Sequence, residues 1–262
     1  MNNANVVKHI VNWLNSYSIN SKTNGFVVGI SGGIDSAVTS TLCSKTGLKT
    51  ICLEMPIFQS NKEIQRSKNH ISWLKSNYRN AQSKHIDLTK SFSEIKKTIS
   101  DDGNIKNNLA LANTRSRLRM LTLYYYASIN NCLVAGTGNK VEDFGVGFYT
   151  KYGDGGVDIS PIADLMKSEI KSIATEMGII NEIIMAKPTD GLWDDTRTDE
   201  DQIGANYDEL EWAMNEFFKG KKESDFAGRE NEVFKILTKF NSTNKHKMIP
   251  IPICEIPLSL KN

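Results

Sequence analysis

The residues best suited to chemistry lie together in Gly29-Ile30-Ser31-Gly32-Gly33-Ile34-Asp35-Ser36. An apolar run, Phe26-Val27-Val28, leads into this stretch, and Ala37, Val38, Thr41 and Leu42 follow it at helical spacing until Gly47. The pattern predicts a strand, a tight turn and a helix. Such a turn presents unpaired backbone N–H groups at the positive end of a helix, where a phosphate can take the place of the missing intrahelical acceptors. Two glycines let the main chain approach an anion closely, Ser31 and Ser36 add hydroxyl donors, and Asp35 can hold a magnesium ion against the phosphates. The spacing Gly-x-x-x-x-Gly-Lys-Ser/Thr does not occur there, so this is not a Walker A loop.

The elements that must position this loop alternate in type. Val6, Val7, Ile10, Val11 and Leu14 predict a first amphipathic helix over residues 3–17. A second strand runs from Lys49 to the proline at 56, Asn61 can cap a helix carrying Ile64, Ile71 and Leu74, and His85-Ile86-Asp87-Leu88 reads as a third strand. Residues 132–138 form a fourth, ending in small residues. The alternation implies an α/β fold with an open, mostly parallel, Rossmann-like sheet and helices on both faces. In such sheets ligands bind beyond the carboxyl ends of the strands, which is where Ser31 and Thr137 fall. Glu142 and Asp143 follow Thr137 closely enough to sit beside the phosphate loop.

Residues 101–104 read as a turn, after which a helix of unusual length runs from Asn107 to Asn130. Its arginines, Arg115, Arg117 and Arg119, are interleaved with apolar positions, as in a helix that packs both into its own domain and against a second subunit. Gly145, Gly147, Gly153, Gly155 and Gly156 are interleaved with aromatic and charged residues, which fits a substrate-clasping loop better than a linker. Asp164 is a good cap for a helix over residues 165–177, and Lys167 then falls in the first turn, where the helix dipole disfavours a cation. A cation placed against that preference can serve an anion. An acidic loop follows Lys187-Pro188-Thr189, then two helices around Leu210–Phe217 and Val233–Phe240, and the prolines at 250 and 252 argue against a helical tail from Lys245 onward.

In 262 residues, 32 Lys and Arg face 30 Asp and Glu, so there is no bulk basic field for nucleic acid. The four cysteines form no Cys-x-x-Cys pair and three lie in apolar runs, which fits buried reduced thiols in a cytoplasmic protein. No apolar run is long enough to span a membrane, and the N-terminus does not have the pattern of a secretory signal.

Ser-Gly-Gly-Ile-Asp-Ser resembles the signature of the pyrophosphatase-loop enzymes, which cleave ATP between its α and β phosphates. The likeness narrows with Asn113-x-x-x-Arg117, Gly136-Thr137 with Glu142 five residues on, Thr150-Lys151-Tyr152-Gly153-Asp154-Gly155-Gly156-Val157-Asp158, Ser160-Pro161 with Lys167, Pro188-Thr189, and His246-Lys247. Over nearly its whole length the chain is similar to the ammonia-dependent NAD synthetases, with their adenine nucleotide alpha-hydrolase-like fold. The resemblance implies a single domain over residues 1–262 with lid loops near 145–156 and 190–204. It implies that Gly29, Ile30, Ser31, Gly32, Gly33, Ile34, Asp35 and Ser36 bind ATP and the released pyrophosphate, with Thr137, Lys167 and Thr189 completing that site. Asp35 and Glu142 would hold Mg2+, and Asp35, Glu142 and Lys167 would be the catalytic set. Arg117, Lys151, Asp158, His246 and Lys247 would bind deamido-NAD, partly at the interface of a homodimer. Ammonia would be the nitrogen donor, and neither nucleic acid nor membrane would be a partner. The stretch between Glu142 and Lys151 is about one residue longer than in the family. Other pyrophosphatase-loop enzymes, such as tRNA thiolases, are the nearest alternative, but the chain shows neither their reactive cysteine pair nor a basic RNA-binding region. A noncatalytic nucleotide sensor would have little need for both magnesium carboxylates.

Overall fold

The computed structural model describes residues 1–99, 105–188 and 198–261. Its sheet has four strands, β1 (Gly25–Gly29), β2 (Lys49–Glu54), β3 (Ala81–His85) and β4 (Leu133–Val134), in the order β3-β2-β1-β4. Every pairing is parallel. The chain winds outward from β1 through β2 to β3, then returns to add β4 on the other side of β1. The switch point therefore lies between the carboxyl ends of β1 and β4, where an open parallel sheet leaves a crevice.

Helices cover both faces, as expected. On one, α1 (Asn3–Asn20), α2 (Ile34–Lys45), α3 (Asn61–Asn77), α6 (Lys167–Glu176) and α7 (Asn181–Ile184) bury Leu14, Leu42, Leu74 and Ile170 against Phe26 and Val28. On the other, α4 (Thr89–Thr98) and the 26-residue α5 (Ile105–Asn130) pack Phe92 and Leu111 with Val27, Leu53 and Val134. A third cluster joins α8 (Asp199–Ile203), α9 (Tyr207–Phe218) and α10 (Gly228–Met248) around Leu210, Met214, Phe234 and Leu237. Of these, α8 and α9, with a π-helical turn, Val141–Val146, contribute residues to one side of the crevice. Among the described residues no helix is long and apolar enough to cross a membrane.

Several boundaries differ from expectation. The third strand is Ala81–His85, ending where it was predicted to begin; it is an edge strand of mostly polar, half-exposed residues, so it carries little hydrophobic alternation. The paired part of β4 is only Leu133–Val134, with Ala135 bridging Ile159 beyond it. Ser60, not Asn61, caps α3, closing a capping box in which Glu63 accepts from the Ser60 N–H at 3.0 Å. Asp164 does not cap α6, which starts at Lys167; it pairs with Lys140 at 2.8 Å instead, while Glu169 accepts from the Met166 N–H. α10 runs through Lys245, His246 and Lys247 to Met248. A proline restricts mainly the residue before it, so Pro250 forces only Ile249 out of the helix, and the three basic residues complement the helix carboxyl end. The predicted turn at 101–104 and most of the predicted lid, residues 190–197, lie outside the described residues. The rest of that second loop contains α8, capped by the Thr198 side chain.

Candidate active site

The loop from Ser31 to Ser36 folds on itself by short-range hydrogen bonds. Ser36 Oγ donates to the Gly33 carbonyl at 2.9 Å, the Ser31 N–H donates to Ser36 Oγ at 3.3 Å, and the Gly33 N–H donates to Ser31 Oγ at 3.2 Å. Gly32 takes a left-handed φ of +84°, which a side chain would strain. Gly33 caps α2 without any side-chain hydrogen bond, and the first intrahelical bond runs from Ala37 back to Gly33. The N–H groups of Ile34, Asp35 and Ser36 thus open the helix without intrahelical acceptors, at its positive end. A cavity of about 680 Å³ lies in front of them.

Three distant side chains meet at this loop. Lys167 Nζ lies 2.6 Å from Asp35 Oδ2 and 3.1 Å from Glu142 Oε1, and all three side chains are between 14% and 17% exposed. Burial alone would lower the lysine pKa, but Asp35 and Glu142 together outweigh it and hold the ammonium charged. Burial pushes the Asp35 carboxyl up, against the pull of Lys167, and its Oδ1 is buried without a hydrogen bond. Burial, with Glu142, Asp154 and Asp35 nearby, also pushes Asp143 up to about 8. Gly138 makes room for it, since a Cβ there would lie 2.2 Å from Asp143 Oδ1.

In the π turn Val141–Val146, Glu142 faces Lys167 while Asp143 turns towards Gly138. Thr137 lines the cavity, and Thr189 lies outside the described residues, next to Pro188, which also lines it.

The five residues expected at the dinucleotide are placed differently. None of them lines this cavity. Arg117 Nε donates to the Lys151 carbonyl at 3.3 Å, Lys151 Nζ to the His246 carbonyl at 2.7 Å, and Lys247 Nζ to the carbonyls of Gly147 and Tyr149 at 2.9 and 2.8 Å. Four of them therefore lace the glycine-dense loop to the end of α10 beside the cavity. Asp158 stands apart, accepting from Tyr124 Oη at 3.0 Å and the Val134 N–H at 2.8 Å. Of the other arginines on α5, Arg115 is buried over the rings of Phe92 and Phe58, and Arg119 lines the cavity and donates to the Met55 carbonyl.

The family model for NAD synthase matches residues 6–250. This chain belongs to the NAD synthase family. The NH(3)-dependent NAD(+) synthetase of Archaeoglobus fulgidus is 33% identical over 260 residues, 98% of each chain. That of Carboxydothermus hydrogenoformans is 38% identical over 204 residues, 77% of this chain and 81% of the other. Among solved structures, the NMN synthetase from Francisella tularensis is similar at a TM-score of 0.83 and 29% identity, covering 98% of this chain and 99% of that one. The NH3-dependent NAD synthetase from Campylobacter jejuni, in complex with the nitrate ion, gives a TM-score of 0.78 at 25% identity, covering 97% and 100%.

Two further residues at this candidate site have no signal in the sequence. Asn139, fully buried, accepts from the N–H groups of Val141 and Glu142 at 3.1 Å and so sets the start of the π turn. Tyr207 donates its hydroxyl to Glu142 Oε1 and presents its ring 4.7 Å from Lys167 Nζ. A tyrosine opening an amphipathic helix reads as core, and only the approach of α9 to α6 shows otherwise. Tyr207→Phe keeps the ring over Lys167 and frees Glu142 Oε1 of one donor. It is expected to lower kcat about tenfold, the cost of one hydrogen bond to a charged group, with the unfolding midpoint nearly unchanged; a kcat equal to wild type would remove Tyr207 from the site.

Proposed function

We propose that the Asp35–Lys167–Glu142 cluster and residues 31–36 carry out the reaction of the family at the switch point of the sheet. As an ammonia-dependent NAD synthetase, the chain uses ATP to convert deamido-NAD and ammonia to NAD, AMP and pyrophosphate. A carboxylate is a poor electrophile. The nicotinate carboxylate therefore attacks the α-phosphorus of ATP, pyrophosphate leaves, and the resulting acyl adenylate is attacked by ammonia with loss of AMP. The observation that carries the assignment of residues is the meeting of Lys167 with two carboxylates, against the unfilled N–H groups that open α2.

In this reading the backbone N–H groups of residues 34–36 hold phosphate oxygens and Lys167 offsets charge that builds as pyrophosphate departs. Thr137 and Thr189 complete the ATP site. Asp35 and Glu142 fit a small hard cation, because both offer carboxylate oxygens and Asp35 Oδ1 is buried without another partner. Among the described residues no third acidic or histidine ligand joins them, which suits magnesium, a metal commonly held by one or two carboxylates plus substrate phosphates. When bound, Mg2+ supplies charge neutralisation on the triphosphate. Protein side chains supply no nucleophile; their work is positioning and the exclusion of water.

Deamido-NAD lies where Arg117, Lys151, His246 and Lys247 converge, with Asp158 at the β4 edge. Homodimer formation is supported by an exposed apolar stripe on α5, Leu121, Tyr125 and Ile129, on the side of the helix turned away from the core. Buried free thiols at Cys43, Cys52 and Cys132 support a cytoplasmic setting. Arg117→Ala is expected to raise the KM for deamido-NAD at least tenfold and leave that for ATP within about twofold. An effect on ATP alone would move Arg117 out of the dinucleotide site.

The deciding assay combines the purified protein with ATP, magnesium, ammonium and deamido-NAD, and reads NAD through a coupled dehydrogenase and AMP by chromatography. Equal yields of NAD and AMP, with NAD lost when ammonium is omitted, are expected. Because the Francisella tularensis protein is an NMN synthetase, nicotinate mononucleotide is tested in parallel. Turnover of the mononucleotide without the dinucleotide would keep the chemistry and change the substrate.

A further inference from the structure

We propose that Arg66, on α3, is a positioning residue for the pyrophosphate end of ATP. The proposal rests on residues 31–36 being the phosphate loop. Helix α3 lies directly against that loop: a methyl placed on Gly32 would meet the Glu63 carbonyl and Ser67 Oγ at 3.1 Å and Arg66 Cβ at 3.2 Å. The Arg66 stem thus starts beside Gly32, and the side chain lines the cavity. Its Nε is buried and, among the described residues, makes no hydrogen bond. A buried guanidinium nitrogen without an acceptor is costly, and the cost is removed if a ligand supplies one.

Charge balance points the same way. Lys167, beside the loop, is already shared between Asp35 and Glu142, so its single positive charge is not free for a phosphate. Arg119 holds the Met55 carbonyl, and Lys171 and Lys187 are exposed at the cavity edge. Of the cations lining the cavity, Arg66 combines proximity to the loop with an unmet buried donor. Its planar fork suits two phosphate oxygens at once, and negative charge grows on the leaving pyrophosphate as the α-phosphorus is attacked. Nothing in the phosphate-loop motif encodes this residue, which lies on a separate helix.

The test is calorimetric titration of magnesium pyrophosphate, and separately of AMP, into full-length wild type, Arg66→Met and Arg66→Lys, with unfolding midpoints measured alongside. Arg66→Met keeps the aliphatic stem and is expected to weaken pyrophosphate binding about 10- to 100-fold, the range for losing charge-assisted hydrogen bonds. AMP, which has no β or γ phosphate, should bind within about twofold of wild type. Arg66→Lys, retaining charge without the fork, should fall between, and it serves if the methionine variant does not fold. Pyrophosphate binding unchanged in both variants, or AMP weakened by the same factor, would overturn the proposal. So would a wild type that binds no pyrophosphate. Absence of NAD formation by a wild type that binds pyrophosphate would instead count against the synthetase reading alone.

Discussion

Asp35→Asn is expected to cut NAD formation by about a thousandfold, the upper range for removing a preorganised electrostatic group, with little change in thermal stability. Asparagine keeps the shape of the side chain and can still accept from Lys167 through its amide oxygen, so the 2.6 Å contact has a neutral replacement. What it loses is the anionic charge and the oxygen that stands buried without a partner. Because burial already disfavours the charged form of Asp35, neutralising it removes a desolvation cost and offsets the weakened pairing with Lys167. Activity and stability should therefore separate. The measurements are steady-state NAD formation at several magnesium concentrations and thermal unfolding of the same preparation. Undiminished activity would remove Asp35 from the ATP and metal site, and a large drop in unfolding midpoint would make it a structural residue.

Lys167→Met is expected to lose both activity and stability. Without the ammonium, Asp35 and Glu142 face one another in a largely dehydrated site, each 17% exposed. Leaving one side of a buried ion pair uncompensated costs about 3–5 kcal/mol, and residual solvation puts this case at the lower end. For a chain of this size each kcal/mol lowers the unfolding midpoint by about 2–4 °C, so a fall of roughly 6–12 °C is predicted. The effect has a definite dependence on pH. Burial and Glu142 both raise the Asp35 carboxyl, and loss of Lys167 removes the largest opposing influence. A carboxyl raised in the folded state favours folding when protonated, so the variant should recover stability as pH falls through the carboxylate range and lose it as pH rises. Unfolding midpoints of wild type and variant between acidic and neutral pH check this. A deficit that is the same at every pH would show that lost packing of the lysine stem, not unpaired charge, is responsible.

Much of this site was legible in the chain because its key parts are local. A strand, a glycine turn and a helix opening fit within residues 25–37, and neighbours in sequence settle their geometry. The helical spacing of apolar residues likewise marked α1, α3, α9 and α10, since one side of each must be buried. The parallel sheet followed from the alternation of elements, and the switch point from where small residues end the strands.

What local pattern could not supply was decided by contacts between distant segments. Asp35 and Lys167 stand 132 residues apart, Glu142 and Lys167 25 apart, and their ion pairs exist because α6 begins beside the carboxyl end of β1. Tyr207 is 65 residues from the carboxylate it holds, and Asn139 gains its role only from the π turn after it. β3 is a strand because β2 offers it an edge, not because its residues alternate. Helix α10 continues past Lys245 because nothing before Ile249 interrupts its hydrogen bonding. The sequence by itself determined the glycine turn between β1 and α2, the order of elements and the kind of chemistry, all of which depend on neighbours a few positions away. The tertiary structure decided which charges meet, since the energy of an ion pair depends on separation and burial, and neither is written in sequence distance.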